Sequence, residues 1–225
     1  MEADILEIKK KYGRKEVLCG TSFRVAEGSC LGVLGANGSG KTTLLKILAG
    51  VLRPDGGRFL WRGEDLLRSP RLRASAVAYV PQGTPLVEEL SARDNLRLWY
   101  APEALERSLD GGVLRRLGVD EFFRTPAAKL SGGMRKRLSI GCALANEPSI
   151  LLLDEPTAAL DPLCKEQILR CFDALRREGC LLILASHDPW ELELCDDWRL
   201  LRAGRMEPFR YDGDRAALIR ELGRE

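Results

Sequence analysis

The stretch from Gly35 to Thr42, Gly-Ala-Asn-Gly-Ser-Gly-Lys-Thr, fits the pattern G-x-x-x-x-G-K-[ST] and constrains this chain more tightly than any other feature. An apolar run containing Leu31, Val33 and Leu34 precedes it and reads as a buried strand; Thr42 to Leu48 follows and reads as the start of a helix. Between strand and helix, Gly35, Gly38 and Gly40 let the backbone wrap with its N–H groups pointing inward. The helix N-terminus contributes positive dipole, and Lys41 contributes a full charge. Such a loop cradles phosphate, and the Thr42 hydroxyl is placed to face Mg²⁺.

The 225 residues suit one domain with room for a subdomain. With 45% hydrophobic and 30% charged residues the composition is that of a soluble globular protein, and no run approaches the roughly 18 apolar residues that span a bilayer. The first residues, Met-Glu-Ala-Asp, are acidic where a secretory leader needs a basic residue, so export of the chain is not expected. A net charge of +2 gives no global field to gather nucleic acid, and no nucleic-acid partner is expected. Seven cysteines, an odd number with no C-x-x-C pair, suggest reduced structural thiols and a cytoplasmic location.

Residues 3–9 and 15–25 alternate loosely and predict strands around a turn at Tyr12-Gly13. Arg58 to Arg62 reads as a strand after the Arg53-Pro-Asp-Gly-Gly57 turn, and the region up to Tyr79 as a mixed β layer ending in the strand Ala76 to Val80. From Leu86 to Asn146 apolar residues such as Leu96, Leu105, Leu114 and Leu117 fall at helical spacing, which predicts an inserted helical subdomain. Strand character returns at Ser149 to Leu153. A helix then begins with Asp161-Pro162 as N-cap and first residue and ends at Gly179, and the strand Cys180 to Ala185 follows. Strand, helix and strand of this size mean parallel pairing and an α/β fold. Trp198 to Leu201, a Gly204 turn and an amphipathic helix from about Asp214 to Leu222 complete the chain.

Three further constellations bear on chemistry. The apolar run Ile150 to Leu153 delivers Asp154 and Glu155 at its C-terminal edge, where α/β sheets place their ligands. Asp154 suits Mg²⁺, and Glu155 suits polarisation of a water that attacks the γ-phosphate. Leu130-Ser-Gly-Gly-Met134 opens a helix with Ser131 as cap, and Gly132 and Gly133 let backbone amides approach an anion. His187, the chain's single histidine, follows an apolar strand at the same sheet edge, within reach of the γ-phosphate. Ser186, His187 and Asp188 are consecutive and cannot converge as a hydrolytic triad.

From Tyr12 to about Gly204 the chain resembles the ATP-binding subunit of ATP-binding cassette (ABC) transporters, with the family's motifs in order. They are a candidate A-loop aromatic Tyr12, Walker A Gly35–Thr43 (including Asn37, Ser39 and Thr43), Q-loop Gln82, signature Leu130–Met134, Walker B Asp154 and Glu155, D-loop Ala159-Leu160-Asp161, and switch His187. The resemblance implies a P-loop NTPase (RecA-like) core with a mostly parallel sheet, a small antiparallel β subdomain and an inserted helical subdomain. Its expected division is a core of about 1–85 and 147–210, helices over about 86–146, and a terminal helix over about 213–223. It further implies ATP and Mg²⁺ as ligands, with Tyr12 stacking on adenine and Gln82 sensing Mg²⁺, water and a membrane partner. By the same resemblance Ser131, Gly132 and Gly133 read the γ-phosphate of ATP on a second cassette, and Asp161 of the D-loop is a nucleotide-binding residue. Met134 stands where the signature usually carries Gln; followed by Arg135-Lys136-Arg137, it is similar to the short cassettes of ABC-2-type exporters.

The expected function is therefore a peripheral ATPase on the inner face of the cell membrane, paired with a like or related cassette and docked on an integral membrane permease. Leu86, Val87, Leu98, Trp99 and Tyr100 are the apolar candidates for that docking. A soluble ABC ATPase acting on nucleic acid, ribosomes or cofactor assembly is the rival reading, and a P-loop kinase a third.

Overall fold

The structure, a computed structural model, describes residues 2–223. Strands β1 (Glu2–Tyr12) and β2 (Lys15–Ala26) form an antiparallel hairpin. Its loose alternation has a physical cause: the pairing register shifts between Ile5 and Ile8, and Glu7 sits at a positive φ of 52°. That bulge returns Ile8 to the face that already buries Ala3 and Ile5. Gly57 faces the bulge, and a Cβ there would stand 2.7 Å from the Glu7 carbonyl oxygen and from Ile8 Cα.

Strand β3 (Cys30–Leu34) leads into helix α1 (Lys41–Leu48). Strands β4 (Gly56–Trp61) and β5 (Glu64–Asp65) join the hairpin in a four-stranded antiparallel sheet of order β2-β1-β4-β5. The expected β layer is interrupted next by helix α2 (Pro70–Ala76), before β6 (Val77–Val80). Pro70 at its first turn starts the helix without a lost hydrogen bond, and Leu72 packs against the core beneath.

The helical stretch comprises α3 (Ala92–Arg97), α4 (Pro102–Asp110), α5 (Val113–Arg116), two short 3₁₀ turns (Val119–Phe122 and Ala127–Lys129) and α6 (Gly132–Ala143). Among the described residues, positions 81–149 contribute no strand to either sheet. Strand β7 (Ile150–Asp154), helix α7 (Pro162–Arg177), strand β8 (Leu181–Ala185) and helix α8 (Pro189–Leu192) follow. The chain then forms β9 (Asp197–Arg202), β10 (Arg205–Phe209) and α9 (Arg215–Leu222). Strand β10, which no alternation announces, pairs antiparallel with β9 across the Gly204 turn.

The larger sheet has six strands in the order β10-β9-β3-β8-β7-β6, parallel except for β10. Both faces are covered, so β7 and β8 read as unbroken apolar runs. One face turns Ile150, Leu152, Leu181 and Ile183 toward Leu44, Leu45, Leu48, Phe59 and Trp61. The other turns Leu151, Leu153, Leu182 and Leu184 toward Ile168 and Phe172 of α7 and toward Leu96 and Leu138 of the helical stretch.

The apolar docking candidates differ in their exposure. Tyr100 is 8% exposed and donates its hydroxyl to the Gly141 carbonyl at 2.9 Å, while Leu86 is half-buried against the core; Val87, Leu98 and Trp99 are exposed. No helix among the described residues is long and apolar enough to cross a membrane. All seven cysteines are free thiols.

Candidate functional site

Strands β3, β8, β7 and β6 are neighbours and parallel, so their C-terminal ends share one sheet edge. That edge gathers residues distant in sequence: the loop Gly35–Gly40 after β3, His187 after β8, Asp154 and Glu155 after β7, and Gln82 after β6. A cleft of about 480 Å³ opens there, lined by Val17, Asn37, Gly38, Gly40, Lys41, Thr42, Thr43, Gln82, Glu155 and His187.

The loop is shaped by its neighbours. Gly40 caps α1 at φ 109°, and a Cβ would lie 2.9 Å from Val17 Cγ1, so only glycine fits the loop against β2. Lys41 is 7% exposed and donates from Nζ to the carbonyl oxygens of Gly35 (2.7 Å) and Ala36 (3.2 Å). Its ammonium thus rests on the loop it belongs to. Burial lowers its pKa, and the Glu155 and Asp154 carboxylates act in the opposite sense.

The two Walker B carboxylates face different partners. Asp154, 3% exposed, accepts from Thr42 Oγ1 through Oδ1 at 3.1 Å and from the Tyr79 hydroxyl through Oδ2 at 3.0 Å. Burial and the adjacent Asp154 charge raise the Tyr79 pKa, keeping that phenol a donor. Glu155 sits at φ 45°, a left-handed conformation held by its N–H bond to the Ala185 carbonyl at 2.9 Å. Its Oε2 accepts from Gln82 Nε2 at 2.9 Å, and its Oε1 lies 3.4 Å from His187 Nδ1.

Ser131 caps α6, its Oγ accepting from the Met134 N–H at 3.3 Å. Neither it nor Gly132 nor Gly133 lines the cleft. Asp161 caps α7, accepting from the Cys164 N–H at 3.0 Å, and also stands outside. Tyr12 is half-exposed at the end of β1, with Lys10 Nζ 5.6 Å from its ring centroid. Ser39 flanks the loop on the side lined by Leu201 and Gly204, its hydroxyl buried without a partner. Ser186 Oγ accepts from the Asp188 N–H, and Asp188 pairs with Lys165, so no triad forms.

The oxygens of Thr42 and Asp154 are hard donors suited to Mg²⁺. No group of three or more His, Cys, Asp or Glu side chains that could hold a metal exists among the described residues. A cation held at this edge by Thr42 and Asp154 would need further oxygen donors beyond these side chains. Pattern reading overlooked Tyr79 and Val17, whose residue types carry no signal of their own. It also passed over Glu191, 1% exposed, whose Oε1 accepts from the Thr157 N–H at 2.7 Å and from its hydroxyl at 2.5 Å.

Comparison with known proteins agrees with this geometry. Residues 18–158 match the family model described as ABC transporter. The chain is 36% identical over 204 residues to the Nod factor export ATP-binding protein I of Paraburkholderia xenovorans, covering 88% of this chain and 67% of that protein. It is 34% identical over 206 residues to the linearmycin resistance ATP-binding protein LnrL of Bacillus subtilis (88% and 66% covered). It is 36% identical over 203 residues to the daunorubicin resistance ATP-binding protein DrrA3 of Streptomyces coeruleorubidus (88% and 64% covered). The chain thus spans about two thirds of the length of these relatives, slightly less for LnrL and DrrA3. Among solved structures, an ATP-binding subunit of an ABC transporter superposes with a TM-score of 0.86 at 26% identity, covering 99% of both chains. The dimeric post-hydrolysis state of the ATP-binding cassette MJ0796, bound to ADP and Pi, superposes at 0.80 with 26% identity, covering 93% of this chain and 99% of that one. With the glycine loop, the paired carboxylates and the lone histidine on one sheet edge, the chain belongs to the ABC transporter family, as an ATP-binding cassette built on the P-loop NTPase fold.

Proposed function

We propose that this chain is the ATP-hydrolysing subunit of an ABC exporter and works as a head-to-tail pair of cassettes. The observation that carries the reading is the division of the site. Lys41, Thr42, Gln82, Asp154, Glu155 and His187 meet at one edge, while Ser131–Gly133 stand away from it on the capped end of α6. An anion-binding helix end that stands outside its own chain's cleft is free to close over the cleft of a second chain. The dimeric cassette MJ0796 supports that arrangement.

In this reading Gly35 to Thr43, with Asn37 and Ser39, wrap the phosphates, and Lys41 exchanges its loop carbonyls for phosphate oxygens. Thr42, Asp154 and Gln82 would hold Mg²⁺, which supplies neutralisation of phosphate charge. Glu155, aligned by Gln82 and His187, takes the proton of the attacking water. The new P–O bond forms at the γ-phosphorus as the bond to the bridging oxygen breaks, releasing ADP and phosphate. Tyr12 stacks on adenine, and Ser131, Gly132, Gly133 and Asp161 act on the partner's nucleotide. The partner is a second copy or a related cassette.

The division into a core (about 1–85 and 147–210), a helical subdomain (about 86–146) and a terminal helix (about 213–223) belongs to the same proposal. So does docking on an integral permease at the inner face of the membrane, for which Leu98 (59% exposed) and Trp99 (61% exposed) offer apolar surface beside Val87. Export is favoured by the relatives, one named for export and two for resistance. The test is Mg-ATP hydrolysis by the purified chain and by Lys41→Ala. Each charged hydrogen bond to phosphate is worth roughly 1.5–3 kcal/mol, so the variant is expected to lose most ATP affinity and all measurable turnover. Unchanged nucleotide binding would refute the assignment of the loop.

A further inference from the structure

Lys136 lies on the second turn of α6, the helix that Ser131 caps, and is 3% exposed. Its Nζ leaves the helical stretch and donates to two carbonyl oxygens just past the end of β6, those of Pro81 (2.7 Å) and Gln82 (3.1 Å). The side chain of Gln82 in turn donates to Glu155 Oε2 at 2.9 Å. A continuous path thus runs from the capped end of α6, through one ammonium, to the carboxylate read above as the base.

The neighbouring cations do not share this path. Arg135 pairs with Glu88, and Arg137 donates to the Leu117 carbonyl and to Gln167 Oε1, each at 3.0 Å, so both stay on the helical side or on α7. Packing alone does not call for a charge at position 136, since an unbranched apolar side chain such as Met would fill the same volume. Burying an ammonium carries a desolvation cost, and this one is taken out of water with, among the described residues, only the two backbone carbonyls of Pro81 and Gln82 as its hydrogen-bond acceptors. A side chain held at that cost, with its donors spent on another element's backbone, connects two bodies.

We propose that Lys136 is a positioning residue that ties the signature end of α6 to the backbone of Pro81 and Gln82. Engagement of Ser131–Gly133 is thereby passed to Gln82 and on to Glu155. The inference rests on the hydrolase reading above and adds to it a specific link between signature and base. Lys136 touches neither nucleotide nor water in this scheme; it acts through Gln82.

The test measures kcat and KM for ATP, together with equilibrium binding of a fluorescent ATP analogue, for the native chain, Lys136→Met, Gln82→Ala and the double variant. Lys136→Met is expected to lower kcat about tenfold or more while changing analogue binding by less than about twofold. In the Gln82→Ala background the same substitution is expected to lower kcat by less than about twofold, because the path is already cut. Lys136→Gln, which keeps one short donor, is expected to fall between native and Met, and it carries the test if the Met variant does not fold. A native kcat in Lys136→Met, or an equal loss with and without the Gln82 side chain, would overturn the proposal. An inactive native chain would count instead against the hydrolase reading itself.

Discussion

Glu155→Gln isolates the chemical step from binding. The amide keeps the size of the carboxylate, and its oxygen still accepts from Gln82 Nε2, which lies 2.9 Å from Oε2 in the native chain. The charge beside His187 Nδ1, now 3.4 Å from Oε1, is lost, and with it the proton acceptor. General-base contributions of this kind are roughly 10²- to 10⁴-fold in rate, or about 2.7–5.4 kcal/mol of barrier. Binding behaves differently. Lys41 loses one of the two carboxylates that offset its burial, but Asp154 remains and the triphosphate replaces what was removed. ATP therefore stays whole in the cleft, and the variant is expected to accumulate as an ATP-dependent dimer. Phosphate release measures the first effect, and size-exclusion chromatography with and without Mg-ATP the second. Asp154→Asn is expected to separate the two, because its carboxylate accepts from Thr42 and Tyr79 at the metal side and its loss weakens dimer formation too. Near-native turnover in Glu155→Gln would place the base elsewhere, with His187 next in reach, and refute the assignment of roles at the end of β7.

Ser131→Arg is expected to leave ATP binding to the monomer nearly intact and to abolish hydrolysis, because Ser131 lies outside its own chain's cleft; normal turnover by the single variant would contradict the two-chain site. Tyr100→Phe removes a 2.9 Å bond to the buried Gly141 carbonyl, and about 1–3 kcal/mol of stability is expected to be lost in urea unfolding without change in ATP binding. Lys136 gives a pH signature. Its folded pKa of about 8 lies below the ordinary lysine value of 10.5, so between these pH values the unfolded chain holds more protons and stability rises with pH. Urea midpoints of the native chain relative to Lys136→Met are therefore expected to rise from pH 8 toward pH 10.5, and a pH-independent difference would show that the ammonium is not buried at a cost.

What the chain's sequence settled by itself is local or carried by residue type. The glycine loop between a strand and a helix, the N-caps Ser131 and Asp161, and the acidic pair after a run of leucines each depend on a few adjacent residues, and each appears where its pattern stands. Tertiary structure decided the rest. Trp99 and Tyr100 are adjacent and alike in pattern, yet one is 61% exposed and the other 8%. The difference is the Gly141 carbonyl, 41 residues away, waiting for a hydroxyl. Helix α2 replaces expected β structure because Pro70 and the residues after it turn Leu72 and Ala76 onto the core beneath. The reach of Lys136 to Pro81, 55 residues away, and the holding of Glu155 by Gln82, 73 residues away, follow from the strand order β3-β8-β7-β6, which no local pattern encodes. Short-range preference selects the elements, but hydrogen-bond partners far apart in sequence are chosen only when parallel strands bring their ends to one edge.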